Sequence, residues 1–91
     1  MEKNRIRYQI EYDPKLEENI KHIPKNMRDR IKIAIETRLS VAPNELGKPL
    51  TKEWKDHRRL RVGNYRVIYK VFEDRVVVLI VEIDHRKDVY G

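Results

Sequence analysis

The chain has no cysteine among its 91 residues, so neither a disulfide framework nor a thiolate-based zinc site is open to it. Glycine occurs only three times, and nowhere as the Gly-rich loop that cradles phosphate in nucleotide-binding folds. Long hydrophobic runs are missing too: the longest is the six residues from Val76 to Val81, against about 20 for a membrane-spanning helix. The N-terminus is charged from Glu2 onward and shows no apolar signal-peptide segment. Three scattered histidines give no metal-ligand spacing. These absences lead us to expect a soluble, cytoplasmic chain with no membrane contact, no metal and no cofactor.

What the chain does have is positive charge. Lys and Arg number 21 against 15 Asp and Glu, a net charge of +6. That balance favours a polyanionic partner, nucleic acid or an acidic protein, and says nothing about fold. An apolar fraction of 40% over 91 residues fits one domain, 1–91, with a single core.

Periodicity supplies the elements. Ile6, Tyr8, Ile10 and Tyr12 alternate with Arg5, Arg7, Gln9 and Glu11, the pattern of a half-buried strand. Asp13-Pro14 starts a helix, with Leu16, Ile20 and Ile23 at helical spacing and an end near Pro24. His22 sits on this helix as a structural residue. A second helix lines up Met27, Ile31, Ala34, Ile35 and Leu39, with Lys25, Arg28, Asp29, Lys32 and Glu36 outward. From Ser40 to about Asp56 the pattern dissolves into a loop of unusual length, which carries Lys48, Lys52, Trp54 and Lys55. A hairpin follows, then a turn at Glu73-Asp74 and a strand from Arg75 to Ile83 that is apolar on both faces, as a central or partner-covered strand would be. The expected class is α+β: an N-terminal strand, a helical hairpin, then three antiparallel strands, with the helices on one face of a mostly antiparallel sheet.

The hairpin is the informative element. Gly63-Asn64 between alternating segments is a two-residue turn signal. It pairs Val62 with Tyr65, Arg61 with Arg66, Leu60 with Val67, Arg59 with Ile68 and His57 with Lys70. Side chains alternate faces, so His57, Arg59, Arg61, Arg66 and Lys70 share one face, and Leu60, Val62, Tyr65, Val67, Tyr69 and Val71 share the other. Directly opposed like charges cost a few tenths to roughly 1 kcal/mol. A fold gains nothing from Arg61 opposite Arg66 unless an anion sits between them, and guanidinium groups clamp phosphate bidentately. The plainer reading is a solvated, aggregation-resistant strand, but blunting an edge does not require facing cations.

The run Arg59-Leu60-Arg61-Val62-Gly63-Asn64-Tyr65-Arg66-Val67-Ile68-Tyr69, the valine strand after it and His85-Arg86-Lys87-Asp88-Val89-Tyr90 together resemble the RelE branch of the RelE/ParE toxin superfamily. The resemblance covers nearly the whole chain. It implies a bacterial or archaeal ribosome-dependent endoribonuclease, encoded beside an antitoxin. Such an enzyme cuts mRNA in the A site by 2′-hydroxyl attack on the adjacent phosphate, which leaves a 2′,3′-cyclic phosphate. The implied partners are the ribosome, mRNA and a small acidic or amphipathic antitoxin, in a heterodimer or heterotetramer. Carried over by position, Arg66 is the phosphate-contacting arginine, Arg86 stabilises the leaving 5′-oxygen, and Tyr90 orients the base. Arg59 and Arg61 stand where well-studied relatives carry two lysines, one of them proposed as general base. Arginine is a poor base, with a pKa above about 12. Histidine titrates near working pH, which makes His57 and His85 the substitute candidates. Lys48, Lys52, Lys55, Arg58, Lys70, Lys87 and Trp54 complete the expected RNA contacts; Trp54 either stacks on a base or caps the core. Two other readings keep the fold: a ParE-like toxin that inhibits gyrase by protein contact, and a catalytically weakened RNA-binding relative.

Overall fold

The computed structural model describes residues 6–85, so the expectations for Arg86, Lys87 and Tyr90 lie outside the described residues. The order is β1 (Gln9–Tyr12), a single turn α1 (Leu16–Asn19), α2 (Lys25–Ala34) continued by a π-helical turn (Ile35–Leu39), α3 (Pro43–Leu46), β2 (Lys48–Pro49), a 3-10 turn (Lys52–Trp54), β3 (Arg58–Val62), β4 (Tyr65–Phe72) and β5 (Val77–His85). No helix among the described residues is long and apolar enough to cross a membrane.

The five strands form one sheet in the order β1-β5-β4-β3-β2. β1 runs parallel to β5, and the other pairings are antiparallel. β5 is therefore flanked on both edges over Val77–Ile80, the central position expected of it. The hairpin has the expected register, Val62 with Tyr65, Arg61 with Arg66, Leu60 with Val67 and Arg59 with Ile68. Gly63 carries the turn at φ 60 while Asn64 is not left-handed, the pattern of a type II′ turn.

The helical layer covers one sheet face. Leu16, Ile23, Ile31, Ala34, Ile35 and Leu39 from the helices meet Leu60, Val62, Val67, Tyr69, Val78, Ile80 and Ile83 from the sheet. Each such aliphatic side chain stabilises the fold by roughly 1.5–3 kcal/mol relative to exposure.

Two expectations change. The first helix is one turn, not a run to Pro24. Asp13 does not cap it: its Oδ1 accepts from Lys15 N at 3.0 Å in a turn ahead of the helix, Lys15 is the N-cap, and the helix gives way to a turn at Ile20, before the restriction that Pro24 places on Ile23 comes into play. Asn19 is also committed elsewhere: β1 stops opposite Ile80, and the free β5 edge beyond it is covered by Asn19 Oδ1, which accepts from Ile83 N at 2.7 Å. The expected long loop is likewise built from short pieces, α3, β2 and the 3-10 turn. Tyr69, fully buried, donates from its hydroxyl to Pro43 O at 2.6 Å, and Arg58 Nη2 donates to Asn44 O at 2.8 Å and Gly47 O at 2.6 Å. These bonds fasten α3 and the approach to β2 onto the sheet.

Candidate functional site

The sheet face away from the helices is a grid set by cross-strand pairing. One rung reads Lys48, Arg59, Ile68, Glu82 from β2 to β5; the next reads Arg61, Arg66, Asp84 from β3 to β5. Cations occupy β2, β3 and β4, and carboxylates occupy β5. The carboxylates reach this face because of a bulge: Ile68 faces Glu82 but Tyr69 faces Ile80, which leaves Val81 without an opposite residue. Ahead of the bulge Val78 and Ile80 point into the core, and after it Ile83 does, so Glu82 and Asp84 are turned outward.

Arg61 and Arg66 face each other, and the anion beside them is Asp84. Arg66 Nη2 lies 3.3 Å from Asp84 Oδ2, with both side chains about a third exposed, at 32% and 35%. Arg66 Nε is buried and finds no acceptor among the described residues. The guanidinium is thus oriented by one carboxylate, and Arg58 Nε is buried without an acceptor in the same way. Arg61 is exposed and Arg59 half-buried; neither forms an ion pair among the described residues. Glu82 has its carboxyl pushed above the usual range, first by burial and then by the charge and hydrogen bond of neighbouring Asp84, with Arg66 and Lys15 pulling the other way.

The two histidine candidates part company. His57 is half-buried just ahead of β3, edge-on to Trp54 with ring centroids 5.1 Å apart. Its Nδ1 lies 3.1 Å from Lys55 O, a contact that only an Nδ1–H can satisfy. That tautomer leaves Nε2 as a free acceptor in the neutral ring. His85 pairs with Tyr65 and stacks edge-on against it, centroids 4.9 Å apart. Tyr65 packs against the core, so alternation puts His85 on the helix side of the sheet, opposite Arg66. His85, expected as a candidate base because it adjoins Arg86 in sequence, is therefore turned away from the face that carries Arg59, Arg61 and Arg66.

Arg58 is also corrected. It pairs with Tyr69 and falls in the inward set of β3, where Asn44 and Gly47 take its Nη2. The signal was present, because the register that pairs Arg61 with Arg66 pairs Arg58 with Tyr69. Burial pushes the Tyr69 hydroxyl up, and the adjacent Arg58 opposes that shift.

The other expected contacts are spread out. Lys48 stands beside Arg59. Lys52 and Lys55 are exposed on the 3-10 segment, and Trp54 between them is half-buried. Lys70 sits four residues along β4 from Arg66, about 13 Å at strand rise, with its ammonium 5.2 Å from the Phe72 ring centroid. A larger cleft of about 560 Å³ lies among Leu16, Ile20, Ile23, Ile31 and Ile35 on the helix side, away from the arginines. Glu82, Asp84, Arg38 and Leu46 were not singled out from sequence: a bulge and a π-helical turn decide where they lie, and neither leaves a local mark.

Against known proteins, residues 10–90 match the family model described as the ParE toxin of the type II toxin–antitoxin system, parDE. Toxin RelG of Mycobacterium tuberculosis is 38% identical over 52 residues, 57% of this chain and 60% of RelG, so the match spans less than two thirds of that relative. Toxin RelE3 of Methanocaldococcus jannaschii is 35% identical over 75 residues, 79% of this chain and 83% of RelE3. Among solved structures, the toxin–antitoxin complex RelBE2 from M. tuberculosis contains a chain matched with a TM-score of 0.85 at 24% identity, covering 96% of this chain and all of that one. That likeness shows the fold: an α+β unit with a mostly antiparallel five-stranded sheet.

Proposed function

The chain belongs to the ParE toxin family of type II toxin–antitoxin systems and is RelE-like, and from that premise we propose that it is a cytoplasmic, ribosome-dependent endoribonuclease that cuts mRNA in the A site. The observation that carries the reading is the Arg61–Arg66 rung with Arg59 on the open sheet face, where Arg59 and Arg61 have no carboxylate partner among the described residues. Cleavage needs no metal in this reading. His57 Nε2 takes the proton of the ribose 2′-hydroxyl, the 2′-oxygen forms a bond to the adjacent phosphorus, and the bond from phosphorus to the 5′-oxygen breaks. A 2′,3′-cyclic phosphate remains, and the departing 5′-oxygen takes up a proton. Arg66, held by Asp84, and Arg61 stabilise the charge that builds on the phosphoryl oxygens. Arg86 and Tyr90 take the leaving-group and base-positioning roles that the resemblance gives them. The partners are mRNA on the ribosome and a cognate antitoxin, the second supported by the match to a chain of the toxin–antitoxin complex RelBE2.

Purified wild-type protein, added to ribosomes programmed with a defined mRNA, is expected to cut within the A-site codon. Arg66→Ala should lower the single-turnover rate by about 10²–10³, the cost of removing one preorganised charge-stabilising donor. An intact mRNA with wild type removes the reading, and a loss under tenfold removes Arg66 from the role. The matched family model bears the ParE description, which favours one second reading, a toxin that inhibits DNA gyrase by protein contact. Inhibited supercoiling with intact mRNA would establish that reading instead.

A further inference from the structure

The free positive charge of the open face is not centred on Arg66. Arg66 is paired with Asp84, whereas the cations towards the β2 side have no carboxylate partner among the described residues. There Arg38, Leu46, Lys48, Arg59, Leu60 and Arg61 line a cleft of about 460 Å³ with no acidic residue in its wall. Its volume falls in the range of small-ligand clefts, about 300–1,000 Å³. The cleft opens where the sheet edge changes hands: β2 pairs only with Arg58 and Arg59, so the outer edge of β3 beyond them carries no strand. The fourth cation comes from another element. Arg38 belongs to the π-helical turn that ends α2, a rare winding that recurs at functional sites. Leu46, 47% exposed, adds an apolar wall.

We propose that this cleft is a nucleotide subsite next to the cutting position, in which Arg38 and Lys48 grip an RNA phosphate, Leu46 contacts the attached base or ribose, and Arg59 and Arg61 lead the backbone on to Arg66. The inference rests on the RNA-cutting reading and names where the strand continues. Three of the four cations are arginines, whose planar forks match phosphate oxygens. Four cations line one cleft whose wall holds no carboxylate, which favours an anion there. A carboxylate would answer the charge, but a phosphodiester carries charge and an apolar body together, and the site offers both. Arg38 acts here as a binding residue and not on the reacting atoms.

The test separates binding from cutting. A fluorescein-labelled ten-nucleotide RNA, 2′-O-methylated throughout, has no attacking hydroxyl and reports binding alone by anisotropy across a salt series. Arg38→Ala should weaken it about tenfold, the scale of one charged hydrogen-bonding contact, and should flatten the plot of log K against log salt by about 0.7, one phosphate contact on a single strand. Arg30→Ala removes an equal charge from an exposed position on α2 and should change affinity less than twofold. Arg38→Lys should restore most of the slope, and far-UV circular dichroism with thermal melts checks that Arg38→Ala folds. Equal effects from Arg38→Ala and Arg30→Ala overturn the proposal, as does wild type that fails to bind the probe. Displacement of the probe by a ten-residue polyglutamate as readily as by unlabelled RNA overturns it in favour of an acidic protein segment. Binding through Arg38 combined with intact mRNA on ribosomes removes the nuclease reading, and with it the cutting position, and leaves the cleft as an RNA phosphate-binding site.

Discussion

Gly47→Ala should cost this small protein about 3 kcal/mol. Gly47 sits in extended backbone, φ −99 and ψ 169, so an alanine meets no conformational barrier and even gains about 0.4–1 kcal/mol through the unfolded chain. Space decides the sign. A Cβ there would lie 2.9 Å from Arg59 O and 2.9 Å from Tyr69 Cζ, and would collide with the Tyr69 hydroxyl. Tyr69 is fully buried, so its ring has no solvent side to turn to, and overpacking of this kind costs roughly 1–3 kcal/mol. Displacing the hydroxyl also breaks its bond to Pro43 O and leaves buried polar groups unpaired, about 1–3 kcal/mol more. The net of about 1–5 kcal/mol is centred near 3, and that central value lowers the melting temperature by roughly 12–24 °C at this chain length. Guanidinium denaturation followed by Trp54 fluorescence would measure it. Tyr69→Phe alone should cost about 1–2 kcal/mol, and adding it to Gly47→Ala should cost less than the sum by about 1 kcal/mol or more, because the colliding atom is gone. A Gly47→Ala variant within about 0.5 kcal/mol of wild type, or strict additivity in the double variant, would refute the account of the clasp.

Two further outcomes follow from the β5 edge and from the open face. Asn19→Ala removes the acceptor of Ile83 N, so stability should fall by about 1–2 kcal/mol and the Ile83 amide should exchange with solvent faster than that of Ile80; unchanged protection at Ile83 would show that water replaces Asn19 without cost. Glu82 has its carboxyl pushed above the ordinary 4.5, so the fold binds the proton more tightly than the unfolded chain does. Its contribution is fully present below 4.5 and is lost as pH rises through the raised value. Glu82→Gln should flatten the fall of stability over that window; denaturation midpoints that track wild type at every pH would count against the Glu82–Asp84 contact.

The sequence reading reached the hairpin because a two-residue turn fixes everything near it. Once Gly63-Asn64 is the turn, Arg61 opposite Arg66 is arithmetic, and so is Arg58 opposite Tyr69, which turns Arg58 from an RNA contact into the anchor of α3. The same arithmetic fails on β5. Parity carried forward from Val78 and Ile80 would bury Glu82 and Asp84 and expose Ile83, and the bulge at Val81 prevents this. In retrospect the apolar Ile83 between Glu82 and Asp84 hints at a change of parity, but the strand reads as apolar on both faces up to that point, so no single position marks the slip. His85 follows the bulge onto the helix side, away from the arginines. Arg38 escaped for a different reason, since a π-helical turn changes which way the end of α2 faces and composition does not announce it.

The bulge also changes what the facing arginines mean. Without it, Arg66 would have only Arg61 for company, and the pair would be a repulsion awaiting a substrate. With it, Asp84 completes the rung, so Arg66 is held in one orientation before any RNA arrives. Preorganised charge is what stabilises a transition state, because the cost of fixing the guanidinium is met during folding and not during the reaction. The same pairing dilutes the pull of Arg66 on a distant phosphate. Long-range attraction then falls to the cations without partners among the described residues, Arg38, Lys48, Arg59 and Arg61. On the RNA-cutting reading proposed above, the open face and the β3 edge beside it divide the labour along the rungs: an unpaired side that draws and binds the polyanion, and a paired side that is oriented for chemistry.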